Sequence, residues 1–306
     1  MKQITLAITI ILTASTAAFS QSTHTVIKQY LDSVTSSENR KVIFTYDSND
    51  NHILEINHHS DNRWLEMEKV EYAYDNDSRL IINTRYRWYN ENNDWIRHRK
   101  CEITYDSNDN KTLFYYYWDD DWKNDEKYKT EHTYNNTKPT MYIGYVWSNT
   151  NDDWIELEKQ EIAYDDNDNM INRVYYYWNN NWKISGKHEF TYDSNDNIAT
   201  YIRYGWDDDW IKENKEEYTY DNNGNSTMII FYYWEEETND WELARKFEYI
   251  FDTSYSKADL IMPSYVHTSE VNMPMKEIHY EWQETEWIQR EVVTYHWSAK
   301  EIIVNK

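Results

Sequence analysis

From Trp210 to Tyr220 the chain alternates strictly. Trp210, Lys212, Asn214, Glu216, Tyr218 and Tyr220 fall on one parity, and Ile211, Glu213, Lys215, Glu217 and Thr219 on the other. A period of two is the mark of a half-buried β-strand. Trp182 to Tyr192 repeats the pattern, with Trp182, Ile184, Gly186, His188, Phe190 and Tyr192 set against Lys183, Ser185, Lys187, Glu189 and Thr191. The segments between these strands keep Thr200, Ile202, Tyr204 and Trp206, or Met228, Ile230, Tyr232 and Trp234, in phase with their tryptophan. The pattern predicts strands with an aromatic face turned inward and a Lys-Glu-Thr face turned outward.

The same unit recurs along the chain. Tyr46, Tyr74, Tyr105, Tyr134, Tyr164, Tyr192, Tyr220 and Phe251 each close a strand, at successive gaps of 28, 31, 29, 30, 28, 28 and 31 residues. Between them stand two tryptophans around a polar tip, as in Trp118-Asp-Asp-Asp-Trp122, Trp178-Asn-Asn-Asn-Trp182 and Trp206-Asp-Asp-Asp-Trp210. Such self-similarity is the signature of a repeat architecture. After each closing Tyr comes a turn such as Asp193-Ser-Asn-Asp-Asn197 or Asp221-Asn-Asn-Gly-Asn225. Asn and Asp bond their own backbone and tolerate positive φ. Gly224 stands where other copies have Asp50, Asp109, Asp168 and Asp196, which predicts a left-handed residue at that fourth place.

Eight units of two strands give an all-β, antiparallel up-and-down meander of about sixteen strands. A sheet that wide must curl, split or close. The expected form is a closed or coiled barrel-like sheet, with a flattened sandwich as the alternative. The chain divides into residues 1–20, read as a signal peptide, residues 21–40, read as an N-terminal cap or short helix, and one β-repeat domain over 41–306. The spacing of Val26, Ile27, Tyr30, Leu31 and Val34 suggests the helix. From about residue 252 the array is irregular, with Pro263 and Pro274 in the excess length.

The first twenty residues carry Lys2, an apolar run from Ile4 to Ala18, and a small-residue exit at Ala18 and Ser20, as a secretory signal does. The expected location is secreted, periplasmic or cell-surface, with no membrane span after cleavage. Formal net charge is −24, from 31 basic and 55 acidic residues, which disfavours nucleic acid as a partner. Thirty Tyr and 16 Trp against 4 Gly and 3 Pro favour strands over disorder, even at a mean hydropathy of −1.02. Cys101 is the single cysteine, so no internal disulfide forms.

The Tyr-Asp-x-x-Asp/Gly-Asn turn, as in Tyr220-Asp-Asn-Asn-Gly-Asn225, resembles the YD-type repeat of secreted bacterial repeat proteins. With the tryptophan tips it is similar to uncharacterised tandem-repeat proteins exported by bacteria that use a gliding-associated secretion system. Tyr295-His-Trp-Ser298 resembles the segment that closes such arrays before a C-terminal sorting domain, and the chain stops at Lys306 without one. The resemblance implies a porin-like barrel, known from a related domain of unknown function, and supplies no catalytic residue.

No nucleophile elbow, zinc-protease motif or phosphate loop is present in the sequence. The chain is therefore read as no enzyme, without a cofactor. Its expected role is a secreted or cell-surface structural or binding repeat protein, adhesin-like, with a glycan or protein partner. The alternative is a carbohydrate-binding module whose candidate ligand residues are the tip aromatics Trp118, Trp122, Trp178, Trp182, Trp206 and Trp210. An outer-membrane pore is the third reading. Asp193, Asn195 and Asn197 have the first three oxygen spacings of a calcium loop, but the twelfth place is Tyr204 rather than Glu. The expectation there is a turn, with weak calcium binding as the alternative. His58-His59 is read as an exposed strand pair, and Cys101 as an inward hydrophobe in phase with Trp95 and Tyr105.

Overall fold

The computed structural model describes residues 23–60, 64–89, 94–107, 110–135, 138–263, 266 and 271–305. Residues 1–22, and with them the signal-peptide reading, lie outside the described residues. Strands follow one another as β1 (Thr23–Ser36), β2 (Arg40–Tyr46), β3 (His52–Ser60), β4 (Trp64–Tyr74), β5 (Leu80–Tyr89), β6 (Asp94–Tyr105), β7 (Lys111–Asp119), β8 (Asp121–Asn135), β9 (Lys138–Ser148) and β10 (Asp153–Tyr164). They continue as β11 (Met170–Trp178), β12 (Trp182–Tyr192), β13 (Ile198–Trp206), β14 (Trp210–Tyr220), β15 (Ser226–Glu235), β16 (Asp240–Ser256), the two-residue β17 (Leu260–Ile261), β18 (Asn272–Gln283) and β19 (Glu286–Asn305). One 3-10 turn, Lys257–Asp259, precedes β17.

Each strand pairs antiparallel with the next, except that β16 passes β17 to pair with β18. β1 pairs antiparallel with both β2 and β19, so the sheet closes on itself. Eighteen strands form the ring, and β17 lies parallel to β1 beside Gln29 and Tyr30. The expected barrel is therefore present, with two more ring strands than the repeat count gave. The expected helix is absent, because Thr25 to Ser36 is strand. The adjacent apolar residues Val26-Ile27 and Tyr30-Leu31 face opposite sides of the strand, and a bulge at Asp32 then shifts the phase so that Leu31 and Val34 share a face. The β-branched residues of this segment favour the extended form, and the open edge of β19 supplies the partner.

A second bulge, repeated through the array, overturns the predicted faces. In β14, Lys212 pairs with Tyr204 and Asn214 with Arg203, so Glu213 is extra. In β12, Ile184 pairs with Tyr176 and Gly186 with Tyr175, so Ser185 is extra. An extra residue moves everything beyond it to the other face. Trp210 therefore shares a face with Lys215, Glu217 and Thr219, not with Tyr218 and Tyr220. Cys101 is likewise in phase with Tyr105 but not with Trp95, because His98 is extra in β6.

Phe44, Val70, Cys101 and Tyr295 are buried, and by pairing they lie on the face opposite the paired tip tryptophans, a face that Trp297 shares. Met262 and Val266, from the segment between β17 and β18, pack against the cluster of Leu31, Phe44 and Tyr295 on that face. It is the inner, concave face, where curvature crowds side chains together. The face of the paired tip tryptophans is the outer one, which corrects the inward placement. Eighteen strands about 4.8 Å apart need a perimeter of about 86 Å, too wide for side chains to fill. The buried apolar cluster of Leu31, Phe44 and Tyr295 lies at the seam where the ring closes, while Val70 and Cys101 are buried singly on β4 and β6.

The closing tyrosines stitch neighbouring hairpins together. Tyr74, Tyr105, Tyr192 and Tyr220 donate hydroxyl hydrogen bonds to the carbonyls of His52, Leu80, Met170 and Ile198, at 2.8, 2.8, 2.8 and 2.9 Å. Each acceptor opens the return strand of the preceding hairpin. In the following turn the Asp carboxylate caps the backbone. Asp221 Oδ1 accepts from the N–H groups of Asn223 and Asn225 at 2.8 and 2.9 Å. The fourth residue is left-handed as expected, with φ of 65°, 72°, 61° and 87° at Asp50, Asp168, Asp196 and Gly224.

Candidate functional site

The outer wall carries one side-chain assembly in seven copies among the described residues. At its centre is Lys-x-Glu: Lys69 with Glu71, Lys100 with Glu102, Lys129 with Glu131, Lys159 with Glu161, Lys187 with Glu189, Lys215 with Glu217 and Lys246 with Glu248. Residues two apart on a strand share a face, and the Lys Nζ sits 2.5–2.9 Å from the Glu carboxylate. The next return strand places a tyrosine ring under each ammonium. Nζ is 4.0–4.4 Å from the ring centroids of Tyr86, Tyr116, Tyr145, Tyr176, Tyr204, Tyr232 and Tyr280. The same ammonium lies 4.6–5.6 Å from the ring of the next tip tryptophan, from Trp95 to Trp287. The tyrosine hydroxyl then donates to the same glutamate, as Tyr176 does to Glu161 at 2.8 Å.

Electrostatics follows from that arrangement. The hydrogen bond from Lys159 holds the Glu161 carboxyl below its ordinary range, against the opposing effect of desolvation. Desolvation, with help from the hydrogen bond to Glu161, pushes the Tyr176 hydroxyl up to about 12. Most of these lysines are well covered, Lys215 showing only 15% of its side chain.

The six predicted ligand tryptophans do not converge on one site. They form three edge-to-face pairs on three hairpins. Trp118 and Trp122 have ring centroids 5.1 Å apart, Trp178 and Trp182 5.1 Å, and Trp206 and Trp210 4.7 Å. Similar pairs at Trp88–Trp95, Trp147–Trp154, Trp234–Trp241 and Trp282–Trp287 extend the row. A cation already covers Trp122, Trp182 and Trp210, and the Arg97 guanidinium lies 4.8 Å from the centroid of Trp118. Trp206 is the open one, 37% exposed.

Asp193, Asn195 and Asn197 do come together, as a backbone cap. Asp193 Oδ1 accepts from the N–H groups of Asn195 and Asn197 at 2.8 and 3.0 Å, and Oδ2 accepts from the Asn197 amide at 3.1 Å. The carboxylate thus faces hydrogen-bond donors of its own turn. Those bonds, led by the Asn197 amide, hold the Asp193 carboxyl below its usual range. His58 and His59 are consecutive on β3 and point to opposite faces. The Cys101 thiol is buried, and desolvation pushes its pKa up.

Sequence reasoning missed the lysine ladder, although Lys-x-Glu at intervals of 28–31 residues is plain in the chain. Reading across the bulge put lysine and tryptophan on opposite faces and hid their contact.

The sequence matches no protein-family profile and no curated protein. Among solved structures, the chain is similar to a DUF3836 family protein from Bacteroides vulgatus, at 18% identity over 28% of this chain and 90% of that one, with a TM-score of 0.25. It is similar to a porin-like protein from Bacteroides uniformis at 8% identity, over 88% of this chain and 98% of that one, with a TM-score of 0.43. The β-propeller domain of the Trilobed protease from Pyrococcus furiosus is matched at 7% identity over 86% of this chain and 97% of that domain, with a TM-score of 0.35. The chain is an all-β antiparallel barrel whose solved neighbours include proteins of unknown function.

Proposed function

We propose that this chain is an exported, non-catalytic binding scaffold that presents its tryptophan rim to a glycan or protein ligand at or beyond the cell surface. The observation that carries this reading is the row of seven like-built tryptophan pairs, each fixed by the same Lys-Tyr-Glu assembly. Spending charged side chains on the rigidity of a surface aromatic row fits a repeated, multivalent contact, in which weak sites add through avidity. Tryptophan faces and rim carboxylates are groups that recognise sugars.

A transmembrane pore is the less supported reading. Among the described residues no helix is long and apolar enough to cross a membrane, so crossing would fall to the barrel wall. The outer face carries Lys and Glu at mid-strand in seven copies, and a lysine at a bilayer midplane costs about 2–4 kcal/mol. The opposite face carries Arg85, Arg99, Glu158, Arg203 and Glu216, so neither wall suits lipid.

A glycan array probed with residues 21–306, with calcium and with chelator, tests the proposal. Saturable binding that weakens at least tenfold in Trp206→Ala supports a carbohydrate ligand at the rim. Binding lost with chelator would restore the calcium turns. A blank array, together with a protein that stays in the cytoplasm of its host on fractionation, would refute the proposal.

A further inference from the structure

The inner wall holds an arrangement that strand pairing alone disfavours. Arg85 on β5 and Arg99 on β6 are direct cross-strand partners. Arg87 lies two residues along β5 on the same face, opposite Ile96. Like charges directly opposite one another destabilise an antiparallel pair. Glu68 alone offers relief from β4: it stands directly across from Arg87 and sets its carboxylate 3.4 Å from Arg85. Arg87 and Arg99 are exposed, and among the described residues neither has an ion-pair or hydrogen-bond partner. The next two strands extend the patch, since Tyr117 pairs with Arg99, and Lys123 with Tyr117. Tyr117 is 43% exposed and Ile96 38%. Burial, and then the fields of Arg87 and Arg99, lower the pKa of His98, the bulge residue beside them.

We propose that Arg85, Arg87 and Arg99, with Lys123 and the exposed ring of Tyr117, form an inner-wall binding site for an oligosaccharide bearing carboxylate or sulfate groups. Guanidinium forks bind such oxyanions bidentately, and the tyrosine ring and Ile96 provide an apolar platform for a sugar ring. Local rules of stability are commonly broken at sites kept for function. In a chain of net charge −24, long-range repulsion opposes extended polyanions. That favours a short acidic chain over a nucleic acid. The site rests on the reading of the chain as a binding scaffold but uses the opposite face from the tryptophan rim.

The test is calorimetric titration of residues 21–306 with three probes: a galacturonate tetrasaccharide, a sulfated tetrasaccharide of matched length, and a neutral tetrasaccharide. The expected result is binding of at least one acidic probe, weakened by salt, with none for the neutral probe. Arg87→Ala combined with Arg99→Ala should weaken it at least tenfold, while Trp206→Ala leaves it in place. The arm that binds identifies carboxylate or sulfate as the recognised group. Arg99→Glu should in addition melt higher than the wild type, because it turns a repulsion into an attraction. Unchanged acidic binding in the double variant, or binding lost in Trp206→Ala alone, would overturn this site while leaving the rim proposal standing. Binding of none of the three probes, by a wild type that melts cooperatively, would also overturn it.

Discussion

Lys215 offers the sharpest test of how the outer wall is held. Its ammonium lies 2.8 Å from Glu217, 4.1 Å from the centroid of Tyr232 and 5.5 Å from that of Trp241. Lys215→Met keeps the aliphatic stem and removes only the charge. The ion pair, with Glu217 42% exposed, is worth about 0.2–1 kcal/mol after solvent screening. The cation–π contact adds about 0.5–1 kcal/mol, rising toward 2 where water is excluded. Together the loss is about 1–2 kcal/mol. Lys215→Ala also uncovers two or three methylenes packed on the rings, at about 0.8 kcal/mol each, for a total of about 3–4 kcal/mol.

For a chain this long, each kcal/mol shifts the melting temperature by about 2 °C. Lys215→Met should therefore melt about 2–4 °C lower, and Lys215→Ala about 6–8 °C lower. Guanidinium titrations of both variants, with Glu217→Gln and the double variant Lys215→Met/Glu217→Gln, give the coupling directly. A coupling of zero, with Lys215→Met as stable as the wild type, would show the ladder to be solvated surface charge and refute the role assigned to it.

Gly224→Val forces a β-branched residue to φ of 87° and should lower the melting temperature by several degrees, whereas Asn223→Ser should leave it within about 1 °C; equal melting temperatures would contradict the turn. Glu102, Glu131 and Glu161 have folded pKa values lowered chiefly by their lysine partners. Their stabilisation is complete above the unfolded value of about 4.3 and is lost as pH falls through the folded values, so circular-dichroism melts should collapse below about pH 4. His279 behaves oppositely: Glu277 at 2.9 Å and Glu291 at 3.2 Å raise its pKa, chiefly through the hydrogen bond to Glu277. Its contribution is complete below about 6.5 and fades as pH rises through the folded value, so His279→Gln should flatten the melting temperature across that range. Cys101 should resist a thiol reagent at pH 8 until denaturant is added; rapid labelling of the native protein would contradict its burial.

Much of the fold was legible because turn chemistry and strand alternation are local. The Tyr-Asp turns declared themselves through Asp221 and Gly224, whose cap and positive φ need no distant partner. The tips declared themselves through paired tryptophans. Illegible were features that depend on a neighbouring strand. Nothing in Asp32 or Glu213 announces an extra residue, since a bulge is visible only once the partner's register is known. β1 was misread for the same reason: its broken alternation imitates a helical spacing until β19 is placed beside it. The ladder was half legible, with Lys-x-Glu written in the chain and its tyrosine supplied from the next strand. The inner arginines were invisible as a group, because only the pairing of β5 with β6 sets Arg85 against Arg99.

The bulge that hid the faces also sets the shape of the barrel. Crossing from Lys187 to Tyr204 and on to Lys212 leaves the path three residues short of the equivalent Lys215. The extra Glu213 takes up one of those three, so this hairpin advances the register by two steps. The same three-residue shortfall separates Ile184, reached from Lys159 through Tyr176, from Lys187. The β7–β8 repeat advances four steps, since Lys100 faces Tyr116 and Lys129 faces Thr112, and around the ring the stagger is about 20 residues, a strand tilt of about 37° at ~3.3 Å per residue and ~4.8 Å between strands. With one more step in each hairpin the stagger would be about 29 residues and the tilt about 48°, past the upper end of the usual range for barrels. One inserted residue per repeat thus brings the tilt down and carries Lys215 onto the same face as Trp210. In this chain the regular bulge is as much a part of the repeat as its tyrosine and its tryptophans.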